Sequence, residues 1–509
     1  MYPKNCSKGL FLGCFLGLLL TAGAEADFLV AYQVEFTSGQ LKGNEEIMAY
    51  RLRDDGRPVW HKPVTATPQV RERNPLVVPD NAGGMIVVFE AQLAGGDLGG
   101  TKLVLAQRIS AEGALRWNKG ERASLVALRA EHPVAISDGQ GGCFVACEVQ
   151  SEDSVDIGVQ HITAEGTMLW GQTSKDQKHT LIPVLLGRKD ADEHHPALLA
   201  DKAGGVWVAF ETHLGGGRDV DLYAQRVSAP GRLLWDTGRK GTVVSSTRLL
   251  EREPVLVPGL RDSALVIFEA EFTEGRYQGD VDILAQRLSA EGECLWHDGE
   301  RPSLVSSISV LRERHPAAVS DGLGGALVVF QGEYRGGEYK GDVDILAQRI
   351  SSRGNLRWNE GKKPTFVASS QLLERQPRVV SDGRGGAIVV FEIEVRGERL
   401  AGARAVMTQR LSREGERLWN EGKKSSLVGI QCVSPGIAPD GERGVVVVME
   451  QQGGKETEIV AQRISSDGQM QWGQTSDKGR TTDEPLKLGR PLPGSLTHPA
   501  VTRARLPQR

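Results

Sequence analysis

The feature that most constrains this chain is an internal repeat. Eight tryptophans, Trp60, Trp117, Trp170, Trp235, Trp296, Trp358, Trp419 and Trp472, recur at intervals of 53 to 65 residues along 509 residues, and only Trp207 falls outside the series. One period, residues 315–358, reads HPAAVSDGLGGALVVFQGEYRGGEYKGDVDILAQRISSRGNLRW. A unit of this size buries its apolar face only by stacking on copies of itself, and the period suits one β-propeller blade with generous loops. No long stretch carries helical periodicity.

Each period divides into four predicted strands separated by turn residues. In the period quoted, strand one is Pro316 to Val319 and strand two is the apolar run Ala326 to Phe330. Strand three is Asp344 to Ile350, and strand four is Asn355 to Trp358. The expected fold is all-β: a single eight-bladed propeller over residues 27–502 with four antiparallel strands per blade. Phe28 to Phe36 reads as a second strand with no first strand before it, and His498 to Val501 reads as a first strand with nothing after it. Pairing of these N- and C-terminal strands is expected to close the ring and remove exposed sheet edges. Residues 503–509 form a basic tail, and the chain is expected to be a monomer.

The segment Ala-x-x-x-x-x-x-Gly-x-x-x-Trp, seen at Ala285 to Trp296 and Ala461 to Trp472, is similar to the tryptophan-docking motif of quinoprotein-like propellers, which are also eight-bladed. Ser465 to Trp472 resembles the Asp-box of sialidase-type propellers. Both resemblances imply blade architecture. The vicinal cysteine pair that quinoprotein dehydrogenases place near their cofactor has no counterpart here.

Residues 1–24, or 1–26 with the alternative cleavage site, read as a signal peptide. Lys4 and Lys8 precede an apolar run from Leu10 to Leu20, and Ala22-Gly23-Ala24 closes it. A secreted or periplasmic location follows, with no membrane span once the signal is removed. A net charge of −4 argues against a nucleic-acid partner. The four remaining cysteines, Cys143, Cys147, Cys294 and Cys432, show no metal or disulfide spacing.

Two side-chain series repeat with the strands. Arg108, Arg226, Arg287, Arg349, Arg410 and Arg463 stand on strand three, as does Arg51, with His161 in one copy. Glu or Gln ends strand two. Groups present in every copy are expected to build blades, with each Arg bonding the Glu/Gln or strand-end carbonyls. The eight tryptophans are expected to be apolar plugs between blades.

A sharper candidate is the residue before the strand-one proline: Asn74, His132, His195, Glu253, His315, Gln376, Ser434 and His498. Four of ten histidines occupy this one position, and His194 adjoins His195. A ring of His132, His194, His195, Glu253, His315 and His498 at the channel mouth is the expected ligand-binding site, able to hold an anion, a polar ligand or a metal. The competing expectation is a strand-entry turn whose side chain bonds the neighbouring blade. Asp219-Val220-Asp221, Asp280-Val281-Asp282 and Asp342-Val343-Asp344 are compatible with Ca2+ or another metal, although the pattern requires no cofactor. No catalytic group stands out. The sequence favours an exported, non-enzymatic scaffold binding a polar ligand, glycan or protein partner. The alternative is a propeller enzyme, a lyase, hydrolase or quinone-dependent dehydrogenase, with its site at the channel mouth.

Overall fold

In a computed structural model, residues 27–35, 44–65, 70–93, 95, 99–151, 153–173, 181–217, 219–235, 238–396, 402–452, 458–473, 485–489 and 500–503 are described. The fold is nearly all β, with single-turn 3-10 segments between strands. Among the described residues, no helix is long and apolar enough to cross a membrane. The strands form sheets of four and one of sixteen, with a further two-stranded ribbon, in a propeller-type arrangement. The sixteen-stranded sheet is four-stranded groups joined by single parallel bridges, at Val220–Leu250, Val281–Arg312 and Val343–Leu373. Successive first strands also touch one another.

One unit illustrates the rest. Its strands are Leu311–Ser320, Ala326–Tyr334, Val343–Ile350 and Thr365–Ala368. The second strand, buried from Ala326 to Phe330, is sealed on both faces by neighbouring units, which is why its apolar run does not alternate. The first turn is fixed by Asp321, whose Oδ1 accepts from the backbone N–H groups of Leu323 and Gly325.

The fourth strand departs from the sequence expectation. Asn355 to Trp358 makes only an isolated bridge, Ile350–Leu356, and the strand proper follows the tryptophan. The reason is Gln348, fully buried on strand three. Its Oε1 accepts the backbone N–H groups of Arg349 and Trp358 (2.9 and 3.1 Å), and its Nε2 donates to the carbonyl of Lys363 (3.1 Å). The side chain takes the place of ladder bonds and holds the chain off the sheet until Thr365. Gln107, Gln225, Gln286 and Gln409 act alike. The exception is informative: in the first unit this position is Tyr50, and the fourth strand, Pro58–Pro63, runs straight through Trp60.

Each repeat tryptophan joins its unit to the next. Trp117 Nε1 donates to the Ala164 carbonyl (3.0 Å), Trp235 to Ala290 (2.9 Å) and Trp358 to Arg413 (2.8 Å). Trp60, Trp170, Trp296 and Trp419 do the same with Ala111, Ala229, Ser352 and Ser466. The acceptor's turn lays a glycine on the indole: a Cβ at Gly415 (φ +91°) would stand 2.6 Å from the Trp358 ring. The strand-three arginines pair with the turn aspartate and not with the strand-two Glu/Gln. Arg108, Arg226, Arg349, Arg410 and Arg463 reach Asp80, Asp201, Asp321, Asp382 and Asp440. Arg287, whose unit lacks that aspartate, bonds Ser263 Oγ and the Leu260 carbonyl. The expected carbonyl partners are also present, in the next unit's turn, as with Arg108 and Ala164 (2.8 Å).

Candidate functional site

The strand-one series sits on a backbone irregularity. In every described unit with an X-Pro pair, the first strand slips register there. Residue X is left-handed at Asn74, His132, His195, Glu253, His315, Gln376 and Ser434, with φ between 49° and 54°. The bulge turns the N–H of X out of its own ladder and toward the preceding unit. There the strand-two Glu or Gln accepts it: His132 N–H to Glu90 (2.8 Å), His195 to Glu148 (3.0 Å), Glu253 to Glu211 (2.8 Å), His315 to Glu269 (2.9 Å) and Ser434 to Glu392 (2.7 Å). Gln33 and Gln331 receive Asn74 and Gln376. The backbone makes the joint, so the side chain at X is free to vary. This corrects the expectation that the X side chain bonds the neighbouring blade.

In one sector the variation converges. His132 Nδ1 and His194 Nδ1 both bond Glu148 Oε2 (3.1 and 2.9 Å). His195 Nδ1 bonds Glu211 Oε1 (2.8 Å), and His213 Nε2 bonds Glu211 Oε2 (2.8 Å). The His194 and His213 rings meet edge-on at 4.7 Å. Two carboxylates thus bind four imidazoles across consecutive units. The carboxylates are buried, whereas the His132 and His195 side chains are 59% and 52% exposed.

The charges lock one another. Burial alone would raise the Glu211 carboxyl, but the bonds from His195 and His213 outweigh it and hold it at about 2. The bonds from His132 and His194 likewise overcome burial at Glu148 and hold it well below the usual carboxylate range. In return, the bond to Glu211 raises His195 to about 9, and the bond to Glu148 raises His132 and His194. For the three histidines bonded through Nδ1, the carboxylate fixes Nδ1 as the donor, and Nε2 stays outside that bond.

Of the residues expected to bind ligand, His132, His194 and His195 come together, and Glu253 adjoins them through its backbone N–H on Glu211. His315 is anchored farther round, on Glu269. His498 lies outside the described residues. His213 escaped the sequence reading, as did the site role of Glu148 and Glu211. His213 stands two residues beyond the strand-two glutamate, where other units carry Glu271, Glu333 or Glu394. His194 stands where others carry Arg73, Arg252, Arg314 or Arg375. Where the ordinary residues occur, Arg314 pairs with Glu271 (3.0 Å). Histidine has replaced both kinds of partner in this sector. Among the described residues, no group of three or more metal-ligating side chains is arranged to hold an ion.

Neither a family model nor a curated protein sequence matches the chain. Similar solved structures include the polysaccharide lyase Uly1 (TM-score 0.44, 9% identity, covering 76% of this chain and 86% of that one). A second is a PL25 ulvan lyase bound to -[GlcA(1-4)Rha3S]- (0.40, 11%, 78% and 92%). A third is an alpha-L-arabinofuranosidase from Lactobacillus brevis (0.30, 10%, 58% and 92%). The likeness is one of sheet-rich, propeller-type fold, shared with carbohydrate-active enzymes and not specific to quinoprotein or Asp-box propellers. The non-enzymatic expectation is corrected accordingly. These neighbours are glycosidases and lyases.

Proposed function

We propose that the chain is a propeller lyase that cleaves an anionic, uronate-bearing polysaccharide by β-elimination at the four-histidine sector. The observation carrying this reading is the pairing of exposed imidazoles with two buried carboxylates. Elimination needs a cation to hold the uronate carboxylate, a base for the adjacent C–H, and an acid for the leaving oxygen. His195, protonated at neutral pH, supplies the cation. Of His132 and His194, which share Glu148, the one that is neutral takes up the C–H proton and the protonated one gives a proton to the leaving oxygen, each through the Nε2 that Glu148 does not hold. Glycoside hydrolysis by paired carboxyls needs one of them protonated. Glu148 and Glu211 are both held ionised by their histidines, which favours the lyase over the hydrolase.

The same proposal takes the four-stranded units as eight blades of one closed ring, with the histidine sector at the channel mouth. Two contacts support closure. Ala500–Arg503 pairs with Phe28–Glu35. Trp472 Nε1 donates to the Asp54 carbonyl (2.8 Å), which joins the last unit to the first by the bond every other unit uses. An exported enzyme, as residues 1–26 suggest, meets such polymers outside the cell.

The test is to incubate the purified chain with pectate, alginate and sulfated uronate polymers, following reducing ends and the ultraviolet absorbance of unsaturated products together. Both signals are expected to rise, and His195→Gln or His132→Gln to lower the rate by roughly 10²–10⁴-fold. Reducing ends without unsaturation identify a hydrolase and reject the lyase. No product from any polymer rejects the enzyme reading.

A further inference from the structure

A second set of carboxylates lies in the junctions between units. The parallel bridges Val220–Leu250, Val281–Arg312 and Val343–Leu373 set the next residue of each strand side by side. Those residues are Asp221 with Glu251, Asp282 with Glu313, and Asp344 with Glu374. All six are buried, none more than 8% exposed. Serine hydroxyls donate to one oxygen of each: Ser246 to Asp221 Oδ2 (2.9 Å), Ser306 to Glu313 Oε1 (2.6 Å) and Ser370 to Glu374 Oε1 (2.6 Å), for example. The other oxygen is repeatedly left without a hydrogen-bond partner, at Asp221 Oδ1, Glu251 Oε2 and Glu313 Oε2, whereas Asp344 and Glu374 meet each other carboxyl to carboxyl. Buried carboxylate oxygens without partners are costly, and two such anions side by side are more so.

Among the described residues, no Lys, Arg or His forms an ion pair with any of the six. The preceding junction shows what an internal solution looks like: there the pair is Asp156 and Glu193, and Arg239 Nη2 reaches Asp156 Oδ1 at 2.8 Å. Among the described junctions the two positions also change together, although the last repeat has Glu458 at the first position and Leu496 at the second. Glu46 and Glu72 form another acidic pair, whereas Leu103 faces Ala130 and Ala405 faces Cys432, both apolar. In no described junction does one acid stand alone. Joint gain and loss is the pattern of two groups that share a partner.

We infer that each of the three junctions, Asp221/Glu251, Asp282/Glu313 and Asp344/Glu374, binds one divalent cation between its carboxylates. A +2 ion balances two carboxylates, and the donors are oxygen throughout. That composition selects a hard cation, and Ca2+ fits a partly dehydrated site better than Mg2+ because it sheds water more readily. Carbonyls and waters complete the coordination.

The test uses the full chain, stripped with EDTA, dialysed, and titrated calorimetrically with Ca2+ alone. Three ions per chain are expected, with the thermal midpoint rising on Ca2+ and falling again on EDTA. Asp344→Asn with Glu374→Gln keeps shape and removes charge, and is expected to lower the stoichiometry by one. Asp344→Ala with Glu374→Cys copies the Ala405/Cys432 junction, so it provides a packed second variant with the same expected loss. A chain that retains no Ca2+, with a midpoint blind to Ca2+ and EDTA but falling as pH rises toward 8, overturns the inference: the pairs then hold protons. A stoichiometry unchanged in both double variants overturns it equally.

Discussion

The left-handed residue before each strand-one proline separates two jobs within one amino acid. Its N–H builds the joint to the preceding unit, and its side chain is left free of that joint. The cluster's titration follows from that geometry. His195 ionises at about 9 against an ordinary 6.5, so the stabilisation from its bond to Glu211 is full below pH 6.5 and fades as pH rises through 9. Glu211, held at about 2 against 4.5, contributes stabilisation that is full above pH 4.5 and is lost as pH falls toward 2. The cluster is therefore at full strength between about pH 4.5 and 6.5. An NMR titration of the histidine rings is expected to return the raised His195 value, and Glu211→Gln to bring it back toward 6.5. An unmoved His195 in that variant removes Glu211 as its partner. The strand-one histidines were legible in the sequence because they share a position. His213 was not, because its significance lies in standing where other units carry glutamate, and only the fold brings it to His194.

Strand existence was plain from the repeat, whereas the place of the fourth strand was not. The sequence reading puts the fourth strand at Asn355 to Trp358. Gln348 overrides that placement by capping two N–H groups and one carbonyl that a strand there would have used. A polar residue in an otherwise apolar strand gives no hint of which backbone groups it serves. Gln348→Leu is expected to strip partners from all three groups, at about 1–3 kcal/mol for each left buried. Denaturant unfolding measures the loss. Little change in stability means that the ladder re-forms through Trp358, as it already does around Tyr50 in the first unit. Gly415→Ala tests the neighbouring contact. Its φ of +91° and the indole 2.6 Å from a new Cβ both oppose the substitution, so the thermal midpoint is expected to fall.

At the scale of the whole molecule, the repeated indole bond is what makes closure testable. Trp117→Ala removes a buried side chain between two successive units, at an expected cost of about 3–5 kcal/mol. Trp472→Ala is expected to cost as much, because Trp472 meets Phe28 edge-on at 5.5 Å and bonds Asp54 across the seam between first and last units. A much smaller loss at Trp472 in equilibrium unfolding argues for an open seam.

The seven strand-one bulges also carry a record of selection. A left-handed backbone suits glycine and, after it, asparagine; other residues adopt it at a cost of about 1 kcal/mol or more. Among the described residues, Asn74 is the one most at ease there, while histidine, glutamate, glutamine and serine hold the other six. Conformational comfort alone would have filled the series with asparagine. Replacing each of these six by asparagine, one at a time, therefore sorts the ring by purpose: where stability rises and turnover is untouched the residue is an accident of descent, and where stability rises while turnover collapses the strain has been kept for the reaction.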